Sequence, residues 1–163
     1  ETASLIRRDL ARTFPGVKFW VRSQTYAGGA SIDVWYDGLD HWQAGPCCSE
    51  PAGLINQGDW CRTCRNRPRW AAIYKPGVPT YEAVDDLASA YSGAGFDGMI
   101  DLKYGKTVYL DADGFAVGGR SGGSGAYDRA YDTGQPAGAR VVRPGADFIF
   151  VRHEAPYGVK VSA

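Results

Sequence analysis

The amino-acid sequence predicts an α+β fold in which two helices pack on a mixed, mostly antiparallel sheet, with a cysteine-rich loop inserted into it. Two segments have helical periodicity, several short segments alternate apolar and polar residues, and 22 glycines among 163 residues favour many turns. A chain of this length buries about 70% of the surface that its unfolded form exposes. We therefore expect a single domain over residues 1–163, with the loop inserted at residues 39–79.

The first 38 residues predict a helix followed by a β-hairpin. Residues 2–14 place their apolar side chains on one side of a helix, which Pro15 and Gly16 end. The segments VKFWVRS and SIDVWY then alternate apolar and polar residues, as half-buried strands do, on either side of the turn YAGGA. We expect these strands to pair, which would make Trp20 and Trp35 direct or diagonal neighbours on the outward face.

The second half of the sequence predicts another helix and further strands. TYEAVDDLASAY has apolar residues at helical spacing behind Thr80, a favourable N-cap. FDGMIDL is typical of a turn that leads into a short apolar segment, and KTVYL and GFAV flank the hairpin turn DADG. Residues 118–125, GGRSGGSG, predict a mobile loop, and ADFIFVRHE predicts a late strand.

The inserted segment lacks periodicity and is rich in Pro, Gly, Arg, Cys and Trp. It carries all four cysteines, and Cys61 and Cys64 have the spacing at which two thiolates reach one tetrahedral zinc ion. Cys47 and Cys48 are adjacent, which makes them a poorer half of such a site, and His41 could replace one of them. We predict a structural, zinc-ribbon-like site, with disulfides and free thiols as the alternatives.

Arginine and tryptophan are interleaved around the second cysteine pair. Guanidinium groups beside aromatic rings favour contact with a nucleic-acid backbone and stacking on its bases. The candidate nucleic-acid-binding residues are Trp60, Arg62, Arg65, Arg67, Arg69 and Trp70. The alternatives are that these arginines pair with Glu50, Asp59 or the acidic second half of the chain, or that they bind a protein partner.

The charge distribution indicates local rather than whole-molecule attraction to a partner. Eighteen basic and eighteen acidic residues balance, but residues 1–78 carry ten basic and seven acidic groups, whereas residues 79–163 carry eight and eleven. No apolar stretch approaches the roughly 20 residues of a membrane-spanning helix, and the first residues lack the pattern of a signal peptide. We expect no membrane interaction and a cytoplasmic location.

Catalytic motifs are not evident in the sequence. The two histidines accompany no nucleophile elbow, DADG does not fit a calcium loop, and GGRSGGSG lacks the Lys-Ser/Thr of a phosphate-binding loop. Asp97 and Asp101 lie four residues apart and could act as paired carboxylates, although a turn is the favoured interpretation of this segment. An enzyme acting on nucleic acid or protein, with its site near these aspartates and the glycine-rich loop, is therefore the alternative hypothesis.

Three stretches of the sequence carry a family resemblance. LIRRDLARTFPGVKFWVRSQTYAGGASIDVWYDG, then FDGMIDL after the insert and a late strand ending in FVRHE, resemble the large polyvalent protein-associated domain 29 family. The similarity covers residues 3–38 and 80–102 and, more loosely, residues 147–154. Trp20 departs from the family pattern, which has a small polar residue there.

The resemblance implies an accessory module found in polyvalent proteins of phages and conjugative plasmids, and it implies no catalytic residues. Combined with the insert, it predicts a non-enzymatic accessory domain of a mobile genetic element that binds nucleic acid or a host protein. Inhibition of a host defence factor by protein-protein contact is a third hypothesis.

Overall fold

The structure is a computed structural model, and it describes residues 1–44, 70–97, 102–122 and 132–157. The chain divides into two compact units, of which the first comprises Glu1–Asp37 and Thr80–Ala163 and the second comprises Gly38–Pro79. Neither described helix is long and apolar enough to cross a membrane. Two helices together with mixed sheets confirm the α+β class, whereas the single-domain boundaries stay a prediction.

Within the described residues, the elements are a helix, four strands, a second helix and five strands, in that order. In chain order they are α1 (Thr2–Thr13), β1 (Phe19–Tyr26), β2 (Gly29–Tyr36), β3 (Leu39–Ala44), β4 (Trp70–Tyr74), α2 (Tyr81–Ser89), β5 (Ala94–Asp97), β6 (Leu102–Leu110), β7 (Ala116–Ser121), β8 (Arg140–Val142) and β9 (Phe148–Arg152). As predicted, Thr80 caps α2, and its side chain accepts a hydrogen bond from the Ala83 amide at 3.4 Å.

The predicted hairpin and the predicted late strand belong to one three-stranded sheet, in the order β1-β2-β9. β1 and β2 pair antiparallel, and Trp20 lies directly opposite Trp35. β9 pairs with β2 in parallel, so the sheet is mixed. The long connection from β2 to β9 thus contains the inserted unit, α2 and the strands β5 to β8.

One face of the three-stranded sheet packs against the helices. Val21, Val34 and Val151 lie on this face and are buried, because a strand turns every second side chain to the same face. Ile6 and Leu10 of α1 are fully buried, with α1 against β1 and α2 against β9. Burial of each large apolar side chain contributes about 1.5–3 kcal/mol relative to exposure, so this core holds the sheet and helices together.

β6 is the centre of a second sheet. It pairs antiparallel with β5, β7 and β8, and its residues Val108, Tyr109 and Leu110 are buried. The DADG hairpin is confirmed, since the Asp111 amide donates to the Phe115 carbonyl oxygen at 2.9 Å between β6 and β7. The sequence analysis missed β8, because three residues are too few to establish an alternation.

The prediction of a mobile loop at residues 118–125 is wrong for its first four residues, which lie in β7. Glycine allows a close approach of another segment there, because a Cβ on Gly118 would collide with the side chain of Thr133. The Gly119 amide donates to Thr133 Oγ1 at 2.9 Å. A glycine-rich stretch therefore forms a strand against which a neighbouring segment packs, and residues 123–125 lie outside the described residues.

The inserted unit contains a ladder that the sequence analysis did not predict. β3 and β4 pair antiparallel with a register shift between Leu39 and His41, which explains why no clean alternation is visible in the sequence. Ala44 lies opposite Trp70 at the far end of this ladder. Ala44 and Trp70, the described residues that flank positions 45–69, are therefore held side by side.

A buried hydrogen-bond network joins both helical segments to the second sheet. Tyr91, which follows α2, donates its hydroxyl to Asp9 Oδ2 at 2.7 Å and accepts a hydrogen bond from the Ala116 amide at 3.0 Å. Arg12 donates to Asp9 Oδ1 at 2.8 Å and lies 3.5 Å from the centre of the Phe115 ring. Burial and the hydrogen bond to Asp9 raise the pKa of Tyr91, so the hydroxyl remains a donor.

Replacing Tyr91 by phenylalanine is expected to destabilise the fold by on the order of 2 kcal/mol. The change removes one hydrogen-bond partner each from the Asp9 carboxylate and the Ala116 amide. Asp9 is only 4% exposed, so water cannot readily replace the lost donor. Urea unfolding measures the difference. The matched control is Tyr157→Phe at a fully exposed position, which should change stability by less than about 0.5 kcal/mol. Equal effects of the two variants would contradict the prediction.

Stability should depend on the ionisation of Asp85. Burial raises the pKa of this carboxyl, the hydrogen bond from Ser89 opposes that shift, and the neighbouring Asp86 and Glu82 carboxylates add to it. Because the folded pKa exceeds the unfolded one, protonation of Asp85 stabilises the folded state. This contribution is fully present below the unfolded pKa of 3.8 and is lost as the pH rises through the folded pKa.

Asp85→Asn is therefore expected to raise the melting temperature at pH 7, and this gain should vanish once the pH falls below the unfolded-state pKa of 3.8. Thermal unfolding followed by circular dichroism across that pH range measures it. Asp86→Asn removes the same charge from an exposed position of the same helix and should give a smaller gain. A gain for Asp85→Asn that is independent of pH would show that the charge is not its cause.

Candidate nucleic-acid interface

The face of the three-stranded sheet that points away from the helices combines aromatic and basic side chains. Strand alternation and the observed register determine its members. We call it the outer face, and it consists of Trp20, Arg22, Gln24, Ser31, Asp33, Trp35, Phe148, Phe150 and Arg152.

The register arranges the outer face in three rows that cross the strands. The rows are Trp20-Trp35-Arg152, Arg22-Asp33-Phe150 and Gln24-Ser31-Phe148. Neighbouring rows are about 6.7 Å apart, because each strand residue advances about 3.3–3.4 Å, and neighbouring strands are about 4.8 Å apart. The two tryptophans therefore lie side by side at one end of the face, and the two phenylalanines lie on β9 towards the other end.

The aromatic rings of the outer face are partly accessible to solvent. Phe150 is 48% exposed, and its ring centre lies 6.3 Å from that of Phe148 with an angle of 25° between the planes. Trp20 and Trp35 are half-buried. Four rings on one sheet surface form an apolar, partly hydrated area of the kind that binding sites use.

The single carboxylate of the outer face is shielded by its neighbours. Asp33 is only 7% exposed, with Arg152 3.7 Å from Oδ1 and the Gln24 amide donating to Oδ2 at 3.4 Å. Arg22 lies directly opposite Asp33 and is exposed. Lys18, just before β1, places Nζ 5.0 Å from the centre of the Trp20 ring. Three cations against one shielded carboxylate give this face a positive charge, which favours an anionic ligand.

Most of the site residues predicted from sequence lie outside the described residues. These are all four candidate zinc ligands, Cys47, Cys48, Cys61 and Cys64, and the nucleic-acid-binding candidates Trp60, Arg62, Arg65, Arg67 and Arg69. Trp70 begins β4. Within the part of the chain that the structure describes, no group of three or more His, Cys, Asp or Glu side chains could hold a metal ion. The zinc site therefore stays a prediction.

His41, the alternative zinc ligand, lies on β3. Its Nδ1 is 2.8 Å from Asp40 Oδ2, and its side chain is 57% exposed. Metal-binding histidines commonly use one ring nitrogen for a carboxylate and the other for the metal. The arrangement is therefore compatible with a metal at Nε2.

A groove of about 860 Å³ lies beside β7 in the second sheet. Its lining includes the cations Lys106, Arg120 and Arg143, together with Asp132, whose Oδ1 accepts a hydrogen bond from the Ser121 amide. The structure does not show whether Asp97 and Asp101, the aspartate pair of the enzyme hypothesis, lie close together. Asp97 ends β5, and Asp101 lies outside the described residues.

The sequence analysis identified the hairpin half of the outer face and missed the half on β9. Trp20 and Trp35 were predicted to be neighbours, but nothing local indicates that Phe150 and Arg152 lie beside them. The alternation of Phe148 and Phe150 was visible, and it gave the strand. The sequence did not show that β9 pairs with β2, because a parallel pairing between residues more than a hundred positions apart depends on the whole fold.

Comparison with known proteins identifies one family. Residues 1–52 match the family model described as large polyvalent protein associated domain 29. This match confirms the resemblance over its first block, which includes α1 and the hairpin of β1 and β2, whereas residues 80–102 and 147–154 lie outside the matched range. No curated protein and no solved structure matches the chain.

Proposed function

We propose, from the match of residues 1–52 to a family of polyvalent-protein-associated domains, that this chain is a non-enzymatic accessory domain of a mobile genetic element that binds nucleic acid in the cytoplasm. The observation that carries the proposal is the outer face. Aromatic rings that are partly accessible to solvent, combined with cations and one shielded carboxylate, suit a ligand that has both bases and phosphates.

The inserted unit contributes a second contact in this proposal. Arg62, Arg65, Arg67 and Arg69 place four positive charges within eight residues, between Trp60 and Trp70. Each guanidinium that neutralises a phosphate releases a condensed counterion, so such a cluster strengthens binding most at low salt. The β3–β4 ladder supports this role because it holds Ala44 and Trp70, which flank the arginine-rich segment, opposite one another.

A zinc ion bound by Cys47, Cys48, Cys61 and Cys64 organises that loop in the proposal. Four protein ligands leave no open position for a substrate water, so the role of the ion is structural. The ligand atoms would be thiolates, which bind zinc in their deprotonated form. Because this polar segment is rich in glycine and proline, it offers few apolar side chains for a core. Metal binding would supply free energy of folding in their place.

An enzyme is the second candidate, and the groove beside β7 is the observation that favours it. Its cations would bind an anionic substrate, and Asp132 is its described carboxylate. The Ser121 amide donates a hydrogen bond to Asp132 Oδ1, which holds this carboxylate at the wall of the groove. Substrate turnover abolished by Asp132→Asn, with nucleic-acid retention unchanged, would establish the enzyme instead.

Replacing Arg65 and Arg67 by glutamine is expected to weaken retention on immobilised DNA or RNA. Each arginine that contacts a phosphate contributes about 0.7–0.9 to the slope of log affinity against log salt, so the double variant should flatten that slope by about 1.5. A salt-gradient elution measures it. The matched control removes two exposed arginines outside the insert, the outer face and the groove, Arg8→Gln with Arg140→Gln, and should change the slope less. Equal slopes for both double variants would exclude the insert as the contact.

Protein purified without an affinity metal is expected to contain one zinc ion per chain, and Cys61→Ser with Cys64→Ser should lose it, because two thiolates cannot hold a tetrahedral ion alone. Mass spectrometry of the native protein measures the metal. Chelation should leave the far-ultraviolet signal of α1 and α2 intact, since both helices belong to the other compact unit. Wild-type protein without metal, or a double variant that keeps it, would remove zinc from the proposal.

A further inference from the structure

We propose that the outer face binds single-stranded nucleic acid in preference to duplex, with bases stacked on the Trp20–Trp35 pair at one end and on the phenylalanines of β9 towards the other. This inference rests on the proposed function and names the form of nucleic acid and the surface that receives it. It follows from the spacing of the rings, their accessibility and the charges around them.

The spacing of the rings requires bases that are separated from one another. The ring centres of Phe148 and Phe150 are 6.3 Å apart, and successive rows of the sheet are about 6.7 Å apart. Stacked bases in one strand of a duplex are only about 3.4 Å apart. A strand whose bases occupy successive rows must therefore be stretched and unstacked, which single strands can do at low free-energy cost.

The rings also need access to base planes, which duplexes conceal. In double-stranded DNA the planes are stacked on one another, and only base edges are presented in the grooves. Flat sheets that bind single strands use aromatic side chains to stack on splayed bases. Phe150, at 48% exposure, offers the most accessible ring of the outer face to such a base.

The charges on the outer face suit the phosphates between those bases. Lys18, Arg22 and Arg152 surround the rings, and the only carboxylate among them, Asp33, is shielded by Arg152 and Gln24. Because Arg152 is paired with Asp33, a single strand that neutralises Lys18 and Arg22 should show a slope of about −1.4 for log affinity against log salt from this face. The insert would add to this slope without changing the preference for separated bases.

Fluorescence anisotropy of the full chain tests the inference with a labelled oligothymidine of about 16 nucleotides, an oligouridine of equal length and a duplex of equal length. We expect at least tenfold tighter binding of the single strands than of the duplex. Phe150→Ala and Trp20→Leu should each weaken single-strand binding about tenfold or more, since each stacked base contributes about 1–3 kcal/mol. Trp20→Phe keeps a ring and should restore most of the affinity.

The matched control for Phe150→Ala is Val141→Ala, an apolar truncation at an equally exposed position, 49%, in the second sheet. It should leave binding unchanged, and thermal unfolding checks that every variant is folded. Arg22→Gln should flatten the salt slope for single strands by about 0.7, whereas Arg140→Gln should not.

The outcomes separate this inference from the proposed function. Equal affinity for single strands and duplex, or single-strand binding that is indifferent to Phe150→Ala and Trp20→Leu in folded protein, would overturn the inference while nucleic-acid binding stands. The second result would mean that another segment of the chain or a protein partner covers the outer face. Failure to bind any of the three nucleic acids would overturn both.

Discussion

The fold depends on a buried hydrogen bond between the Tyr91 hydroxyl and the Asp9 carboxylate, because these groups come from parts of the chain that are 82 residues apart. Asp9 belongs to the helix of the family-matched segment, and Tyr91 follows the second helix. The same hydroxyl receives the Ala116 amide of β7. A buried carboxylate without such donors would be strongly unfavourable, so this pairing specifies where α1 lies relative to α2 and the second sheet.

With α1 fixed, the two faces of the β1-β2-β9 sheet acquire different roles. The inner face supplies Val21, Val34 and Val151 to the core, where close packing leaves little freedom for substitution. The outer face has no such constraint from the helices, yet it carries rings and guanidinium groups. Because both sets alternate along the same strands, the rigid core also fixes the positions of the outer side chains, as a binding surface requires.

Sequence patterns were sufficient where structure is local. Helix α2 behind Thr80, the hairpin of β1 and β2, and the antiparallel pairing that puts Trp20 opposite Trp35 all follow from periodicity and turn chemistry within about 20 residues. Non-local contacts were not predictable. Gly118 looked like part of a flexible loop, because only the fold brings Thr133 against it, and Phe150 joined the candidate site only through the parallel pairing of β9 with β2.

The β3–β4 ladder gives a physical reason to expect a cross-link inside the insert. An isolated two-stranded ladder is marginally stable in water. Here it also has to close a loop of about 25 residues, which costs on the order of 3 kcal/mol in chain entropy. The ladder pairs five residues of β4 with β3, and His41 and Trp42 on β3 are exposed. The described apolar residues Leu39, Ala72, Ile73 and Tyr74 are only half-buried, so apolar burial supports its hydrogen bonds in part. The zinc ion proposed for the insert would supply additional stabilisation, because metal binding contributes folding free energy.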